Sequence, residues 1–257
     1  MLDVCAIGSG SRGNAYWIRA EGSAVLVDCG IPATRLLRAL DRIGASPGEL
    51  EGIVVTHEHT DHTAGLAVLR KRHDLPVWAT PGTWEGIRRP GPGPFRPLDP
   101  GRPFAIGPFR ILPFPTPHDA AEPIGVVLES DAGSVAVATD LGRVDDAVLE
   151  RIGGARVLIL ESNHDEDLLR DGSYPWFLKE RIRGDFGHLS NRASGNALVA
   201  AAHDGLEAVI LAHLSKENNR PALAMKGACD ALRRCGRSGV KVIVAEQERE
   251  GEVLNFR

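Results

Sequence analysis

Between Thr56 and His62 the chain reads Thr-His-Glu-His-Thr-Asp-His. Imidazole and carboxylate are the usual ligands of zinc and related divalent ions. Four such groups, His57, His59, Asp61 and His62, follow directly on the apolar run Gly52–Val55. At the end of a buried strand so many polar groups are costly unless they are paired or bound to metal. His57 and His59 alternate, so they can share one face of an extended loop, while Asp61 and His62 reach a neighbouring position. A polar loop capping the helix that begins at Thr63 would account for Asp61 or His62 alone, but not for all four groups together.

Three further residues repeat one placement. His118 stands in Pro117-His118-Asp119 after the strand-like run Arg110–Phe114. Asp140 stands in Thr139-Asp140-Leu141-Gly142 after Ser134–Ala138, and His213 in Ala212-His213-Leu214-Ser215 after Ala208–Leu211. Each lies at the C-terminal end of a strand, where α/β proteins gather their ligands. Any one of them alone reads as a satisfied loop residue; the repetition is the signal.

The elements that must position these groups are short. Strand patterns fall at Leu2–Ile7, Ala15–Arg19, Ala24–Asp28, Gly52–Thr56, Val77–Ala79, Arg110–Phe114, Ile124–Glu129, Ser134–Ala138, Val157–Glu161, Ala208–Leu211 and Val240–Val244. Helical patterns fall at Ala33–Ile43, Thr63–His73, Asp145–Ile152, Asn191–His203 and Pro221–Cys235. The early strands are hairpin-like and the later ones alternate with helices. That mixture predicts an α/β chain of stacked sheets with helices outside, rather than one doubly wound sheet. The Pro- and Gly-rich stretch Arg89–Pro108 reads as a surface loop within one domain, since strand patterns resume on both sides.

The 257 residues are 43% hydrophobic and 25% charged, the composition of an ordinary globular protein. A net charge of −4 gives no global sign of a nucleic-acid surface, so any basic surface must be local. Cys5 and Cys29 sit in apolar runs and read as buried thiols. No apolar run approaches membrane-spanning length. The N-terminus shows no secretory pattern, so a cytoplasmic setting is the default expectation.

H-x-H-x-D-H after a strand, then an isolated His, a T-D-x-G aspartate and a late His, resembles the metallo-β-lactamase superfamily, over most of the chain from Ile7 to Asn219. The resemblance implies a four-layer αββα sandwich with the site at one edge of its two sheets. It implies that His57, His59 and His118 hold one divalent metal ion, that Asp61, His62 and His213 hold a second, and that Asp140 bridges both. Five imidazoles and two carboxylates suit zinc or manganese, and iron as well. Two ions about 3.5–4 Å apart can share a hydroxide nucleophile and neutralise the attacking and leaving oxygens.

Finer segments narrow the branch. Gly8-Ser9-Gly10-Ser11-Arg12-Gly13-Asn14, Glu161-Ser162-Asn163-His164, Gly187-His188-Leu189-Ser190-Asn191 and His213-Leu214-Ser215-Lys216-Glu217-Asn218-Asn219 resemble the YycJ/WalJ branch, linked to phosphodiester and DNA exonuclease chemistry. Gly8–Gly13 also fits G-x-G-x-x-G with Asp28 downstream, but a dinucleotide site requires a helix to open there, and Asn14–Arg19 is strand-like. The loop is then a tight strand connection whose Ser9, Ser11 and Asn14 could meet a phosphate, or simply a structural turn. His188 precedes a helix N-terminus at Ser190 and Asn191, a place to hold phosphate or assist a leaving oxygen, and Arg181, Arg183 and Arg192 surround it. Ser190 or Asn191 as a helix cap is the plainer explanation of those two. The resemblance places a substrate-contacting His at position 188. His164, Lys216 and Asn218 complete the expected substrate contacts.

The expected function is therefore a two-metal phosphodiester hydrolase, a DNA exonuclease, with Asp61 and His188 as catalytic residues and DNA ends as substrate. The larger nucleases of the superfamily carry a β-CASP domain inserted between the Asp and the last His; only 73 positions (213 − 140) separate Asp140 from His213. One domain over residues 1–257 with a compact, open site follows. A thioester or lactone hydrolase would need the same metals but an apolar pocket. A binding protein that has lost the chemistry is a third reading, opposed by the intact ligand positions.

Overall fold

The computed structural model describes residues 1–257. The first sheet runs from β1 (Leu2–Gly8), β2 (Ala15–Ala20) and β3 (Ser23–Val27) to β4 (Leu50–Val54), β5 (Val77–Ala79) and β6 (Phe95–Pro97). The second holds β7 (Phe104–Ile106), β8 (Phe109–Pro115), β9 (Ile124–Ser130), β10 (Gly133–Ala138), β11 (Val157–Glu161), β12 (Ala208–Ala212) and β13 (Lys241–Val244). A last strand, β14 (Leu254–Phe256), returns to pair with β1. The orders are β14-β1-β2-β3-β4-β5-β6 and β13-β12-β11-β10-β9-β8-β7. In each sheet an antiparallel half gives way to a parallel half, at β3/β4 and at β10/β11.

The period-two alternation of the strands sorts their side chains into two faces. Val4, Tyr16, Val25 and Val54 of the first sheet meet Ile111, Val126, Val135, Ile159 and Ile210 of the second in one shared core. Their sequence neighbours point outward. Cys5, Trp17, Leu26 and Ile53 pack under α1 (Ala33–Arg42) and, after the short α2 (Thr60–Thr63), under α3 (Leu66–His73). Ala136, Leu158 and Val209 pack under α5 (Asp146–Ile152), α8 (Asn191–Ala201) and α9 (Pro221–Arg234). The result is the expected four-layer αββα sandwich. The remaining helices, α4 (Pro81–Gly86), α6 (Glu166–Asp171) and α7 (Trp176–Arg183), lie between these layers in the chain. No helix is long and apolar enough to cross a membrane.

All eleven expected strands form, and two departures are informative. Arg89–Pro108 is more than a loop: it supplies β6 to one sheet edge and β7 to the other. Both are three residues long and flanked by proline, which edge strands tolerate because one row of their amides needs no partner. The helix expected over Thr63–His73 is broken into α2 and α3. Gly65 presses on the first sheet there, its amide donating to Cys29 O, and a Cβ at that position would stand 2.1 Å from Ile31 O. Gly8–Gly13 is the β1–β2 hairpin connection, as the strand reading of Asn14–Arg19 requires.

Candidate metal centre

The ends of β3, β4, β8, β10, β11 and β12 converge at one edge of the sandwich. Three of these strands are followed within two residues by a non-glycine residue with positive φ: Asp28 (φ 62), Asp140 (φ 58) and His213 (φ 55). Such a conformation costs on the order of 1–3 kcal/mol and persists where the surroundings over-determine it. Here it turns each side chain across the strand ends toward its neighbours. The His57–His62 segment leaves β4 and lies against Gly30, whose missing Cβ lets the Asp61 carbonyl approach; a Cβ would stand 1.6 Å from that oxygen.

The seven predicted ligands come together. His57 Nε2 and His59 Nδ1 are 3.1 Å apart, and His118 Nε2 is 3.4 Å from the same His59 nitrogen. Beside this trio, Asp61 Oδ2 lies 3.6 Å from His62 Nε2 and 3.4 Å from His213 Nε2. Asp140 stands between: Oδ1 is 3.7 Å from His118 Nε2 and Oδ2 is 3.3 Å from His62 Nε2. Ligand atoms 2.0–2.1 Å from a tetrahedral ion are about 3.3–3.4 Å from one another, so both trios have the spacing of a coordination shell. Their ligand atoms fall within 4.8 Å of one another in each group.

A second layer of residues aims these imidazoles. His62 Nδ1 donates to Asp28 Oδ2 at 2.7 Å, and the Thr56 hydroxyl donates to the same oxygen at 2.9 Å. His57 Nδ1 donates to that hydroxyl at 3.0 Å. His118 Nδ1 donates to Gly187 O at 3.2 Å, and His213 Nδ1 to Glu161 Oε1 at 2.8 Å. Acceptors that can only accept fix the tautomer, so in their neutral form His62, His118 and His213 keep the proton on Nδ1 and turn Nε2 toward the centre. Glu161 also accepts from His188 Nδ1 at 2.9 Å and from the amides of Leu141 and Leu189.

The electrostatics fit a cation site. Asp28, Asp140 and Glu161 are buried, Asp61 is partly so, and all their ion-pair partners are imidazoles. Burial by itself would lower His62, but Asp28, Asp140 and Asp61 outweigh it and raise it well above its ordinary range. His213 is raised in the same way by Asp140, Asp61 and Glu161 against its burial. Burial pushes His57 and His118 down, toward the neutral form that ligates metal. Glu161, although buried, is held at about 2 by His188 and His213. Asp140 Oδ2 is buried without a hydrogen-bond partner. Excess buried carboxylate, neutral imidazoles and an orphaned carboxylate oxygen together fit a divalent ion.

The expected substrate contacts divide by placement. Ser9 is buried; its hydroxyl accepts the His213 amide at 2.7 Å and shares a hydrogen bond with Tyr16. Asn14 is buried against the second trio, with Nδ2 3.0 Å from His62 Nε2. Asn191 is bonded to Ser162 and Asn219 beneath the surface, and Asn218 is buried as well. Ser190 caps α8, accepting the Ala193 amide. It also lines, with His164, His188, Arg170, Arg183 and Arg192, a cavity of about 450 Å³ beside the centre. Ser11 is exposed, in a smaller cavity with His188 and Asn163. Lys216 is exposed, its Nζ 3.6 Å from Glu248.

Asp28 and Glu161 carry roles that the sequence reading did not assign. Asp28 entered only as part of a rejected dinucleotide pattern, and Glu161 only as part of a family segment. Their signal was a carboxylate closing an apolar strand, a position that burial makes costly unless something is there to pair with it.

Residues 23–214 match the β-lactamase superfamily domain. The chain is 34% identical over 240 residues to an exodeoxyribonuclease YycJ of Bacillus anthracis, covering 91% of this chain and 90% of that one. It is 33% identical over 224 residues to an exodeoxyribonuclease WalJ of Streptococcus pneumoniae, covering 85% and 83%. Among solved structures, the metallo-β-lactamase fold protein YhfI of Bacillus subtilis superposes with a TM-score of 0.73 over 99% of this chain and 100% of that chain, at 19% identity, which shows the shared fold. The chain thus belongs to the metallo-β-lactamase superfamily, in its YycJ/WalJ branch, and is a metal-dependent hydrolase.

Proposed function

We propose that the chain hydrolyses phosphodiester bonds of nucleic acid as a DNA exonuclease, with residues 1–257 acting as one domain. The observation that carries the reading is the pair of ligand trios sharing Asp140, with His188 fixed beside them by Glu161. His57, His59 and His118 would hold one divalent ion and Asp61, His62 and His213 a second, Asp140 serving both; zinc and manganese suit the donors, and iron is compatible. Bound there, the ions would supply the Lewis acidity that activates water near neutral pH and offsets charge on the attacked phosphoryl group.

The chain's own groups supply the rest. Glu161 holds His188 Nδ1, which leaves Nε2 directed away from the carboxylate and able to hand a proton to a leaving oxygen. Asp28 and Thr56 keep His62 from rotating, and Ser9 anchors the backbone of His213. Ser190, His164 and Arg192 line the cavity next to His188, where a flanking nucleotide would lie, and Ser11 borders the other side. The names of the YycJ and WalJ relatives support DNA as substrate.

A thioester or lactone hydrolase needs an apolar acyl pocket, whereas Ala193 is the one apolar side chain lining the 450 Å³ cavity, and the 220 Å³ cavity that His188 also lines mixes Tyr174, Leu178 and Ile182 with Ser11, Asp119, Asn163 and Arg181. The polar walls favour the phosphodiester. Digestion of end-labelled single- and double-stranded DNA, by metal-stripped protein given Mn²⁺ or Zn²⁺, tests the proposal. Progressive loss from one end, absent in Asp140→Ala, is the expected result. No cleavage with either ion at verified metal occupancy would overturn it, and binding of DNA ends without turnover would indicate a protein that keeps only the fold.

A further inference from the structure

The chain has thirteen aromatic residues, four Trp, two Tyr and seven Phe. Three of them are exposed, and all three fall within eleven residues: Trp176 (69%), Phe177 (73%) and Phe186 (58%). The segment is not remote from the chemistry. The Phe186 carbonyl accepts the Asp119 amide at 3.1 Å, next to His118, and the Ile182 carbonyl accepts the His188 amide at 2.8 Å. Arg181 reaches Asp119 at 2.6 Å and so ties α7 to the His118 loop. Between α7 and the centre lies a cavity of about 220 Å³, lined by Tyr174, Leu178, Arg181, Asn163, Ser11 and His188. The exposed rings therefore stand on the 176–186 segment whose backbone and whose Tyr174, Leu178, Arg181 and Ile182 neighbours border the centre, outside the cavity itself.

Resting on the nucleic-acid reading above, we infer that Trp176, Phe177 and Phe186 form a stacking rail for the bases of a single strand entering or leaving the centre. Proteins that hold single strands combine aromatic faces with cations, and every base has a face to stack. Cations are interleaved here: Lys179, Arg181 and Arg183 lie on α7, and the Arg143 guanidinium sits 5.6 Å over the Phe186 ring. Several of these are already paired, Arg181 with Asp119 and Arg183 with Glu180. The rings rather than net positive charge then carry the affinity.

A second copy of the chain is the rival occupant, and area argues against it. Aromatic side chains of roughly 150–250 Å² each, about two-thirds exposed, offer roughly 300–500 Å². A stable interface needs about 800 Å² per partner.

The test compares the wild type with Trp176→Ala/Phe177→Ala and with Phe186→Ala; exposed rings can be removed without disturbing the core. Binding is read by fluorescence anisotropy of two hydrolysis-resistant phosphorothioate probes, an oligodeoxythymidine and an abasic strand of equal length. Turnover of bis(p-nitrophenyl) phosphate reads the centre itself. The expected result is a loss of about tenfold in oligodeoxythymidine affinity per ring removed, with abasic-strand affinity and bis(p-nitrophenyl) phosphate turnover unchanged. Undiminished affinity for both strands in the variants, while the wild type degrades DNA, would overturn the rail and leave the nuclease reading intact. A wild type that turns over bis(p-nitrophenyl) phosphate yet neither binds nor degrades DNA would overturn both. A dimer of the wild type that the variants dissociate in sedimentation velocity, with strand affinity unchanged, would assign the rings to a second copy and overturn the rail.

Discussion

Glu161 Oε1 lies 2.8 Å from His213 Nδ1, and the same oxygen lies 2.9 Å from His188 Nδ1. One buried carboxylate thus orients both a proposed metal ligand and the proposed proton donor. Its other oxygen takes the Leu141 and Leu189 amides, so all its accepting capacity is committed. Glu161→Gln keeps the shape but replaces one acceptor oxygen with a donor, which must face an N–H. Loss of such a partner costs about 10–100-fold in metal affinity or activity. The expected outcome is that loss in a Zn²⁺ or Mn²⁺ titration, together with a lower kcat from a His188 no longer held in place. Unchanged affinity and unchanged kcat would show that Glu161 only fills space.

Asp140 offers a cleaner separation of chemistry from folding. Its backbone is left-handed (φ 58), a conformation Asn adopts readily and Ala does not, at roughly 1–2 kcal/mol. Both variants lose the Asp140 charge that pairs with His62 and His213, so Asp140→Asn should lower the thermal midpoint of the metal-free protein less than Asp140→Ala, which adds the backbone cost. Both should lose turnover and bind fewer ions, counted by elemental analysis after dialysis. Full occupancy and activity in Asp140→Asn would remove Asp140 from the ligand set.

Metal removal should make stability fall more steeply as pH rises above neutrality. In the metal-free chain His62 and His213 are raised well above the ordinary value by Asp28, Asp61, Asp140 and Glu161. Groups with raised folded-state pKa contribute stability that is fully present below about 6.5 and fades as pH rises through the folded-state value. Ion binding requires the deprotonated imidazoles, so metal affinity rises over the same interval. The midpoint of chelator-treated protein should fall as pH is raised above neutrality, and the increment on adding back Mn²⁺ or Zn²⁺ should grow. Parallel curves with and without metal would contradict ligation by these two imidazoles.

How much of this was legible in the sequence follows from where each group finds its partner. The ligand candidates stood out because four cluster after one strand and three repeat a strand-end position. Asp28 and Glu161 did not, because the imidazoles they orient are 34 and 52 positions away, and nothing local announces the pairing. Ser9 and Asn14 read equally well as phosphate contacts or as a turn; that Ser9 faces the His213 amide depends on β1 and β12 meeting across two sheets. The long strands declared themselves by apolar alternation. β6, β7 and β14 are three residues each, like β5, but lie at the sheet edges with exposed positions among them, so no apolar run marks them as it marks Val77–Ala79. α7 was missed because its exposed rings break the amphipathic pattern, and those rings are the feature with a proposed use.

Gly30 carries the last prediction. Its amide donates to Asn14 O, the Asn14 amide donates to Asp61 O, and a Cβ at position 30 would stand 1.6 Å from that Asp61 oxygen. Backbone meets backbone there, so no side-chain rotation can relieve the clash. Gly30→Ala must displace the His57–His62 segment from β3, at a cost of about 1–3 kcal/mol or more. The displacement acts on the ligands themselves, so metal affinity should fall along with the thermal midpoint. Gly154→Ala is the control: a Cβ there meets nothing within 4 Å and its φ is not in the left-handed region. Reduced freedom of the unfolded chain should leave that variant equal to the wild type or stabilised by about 0.4–1 kcal/mol. If Gly30→Ala instead bound metal as tightly as Gly154→Ala, the close approach of Gly30 to Asp61 would not be what seats the ligand segment.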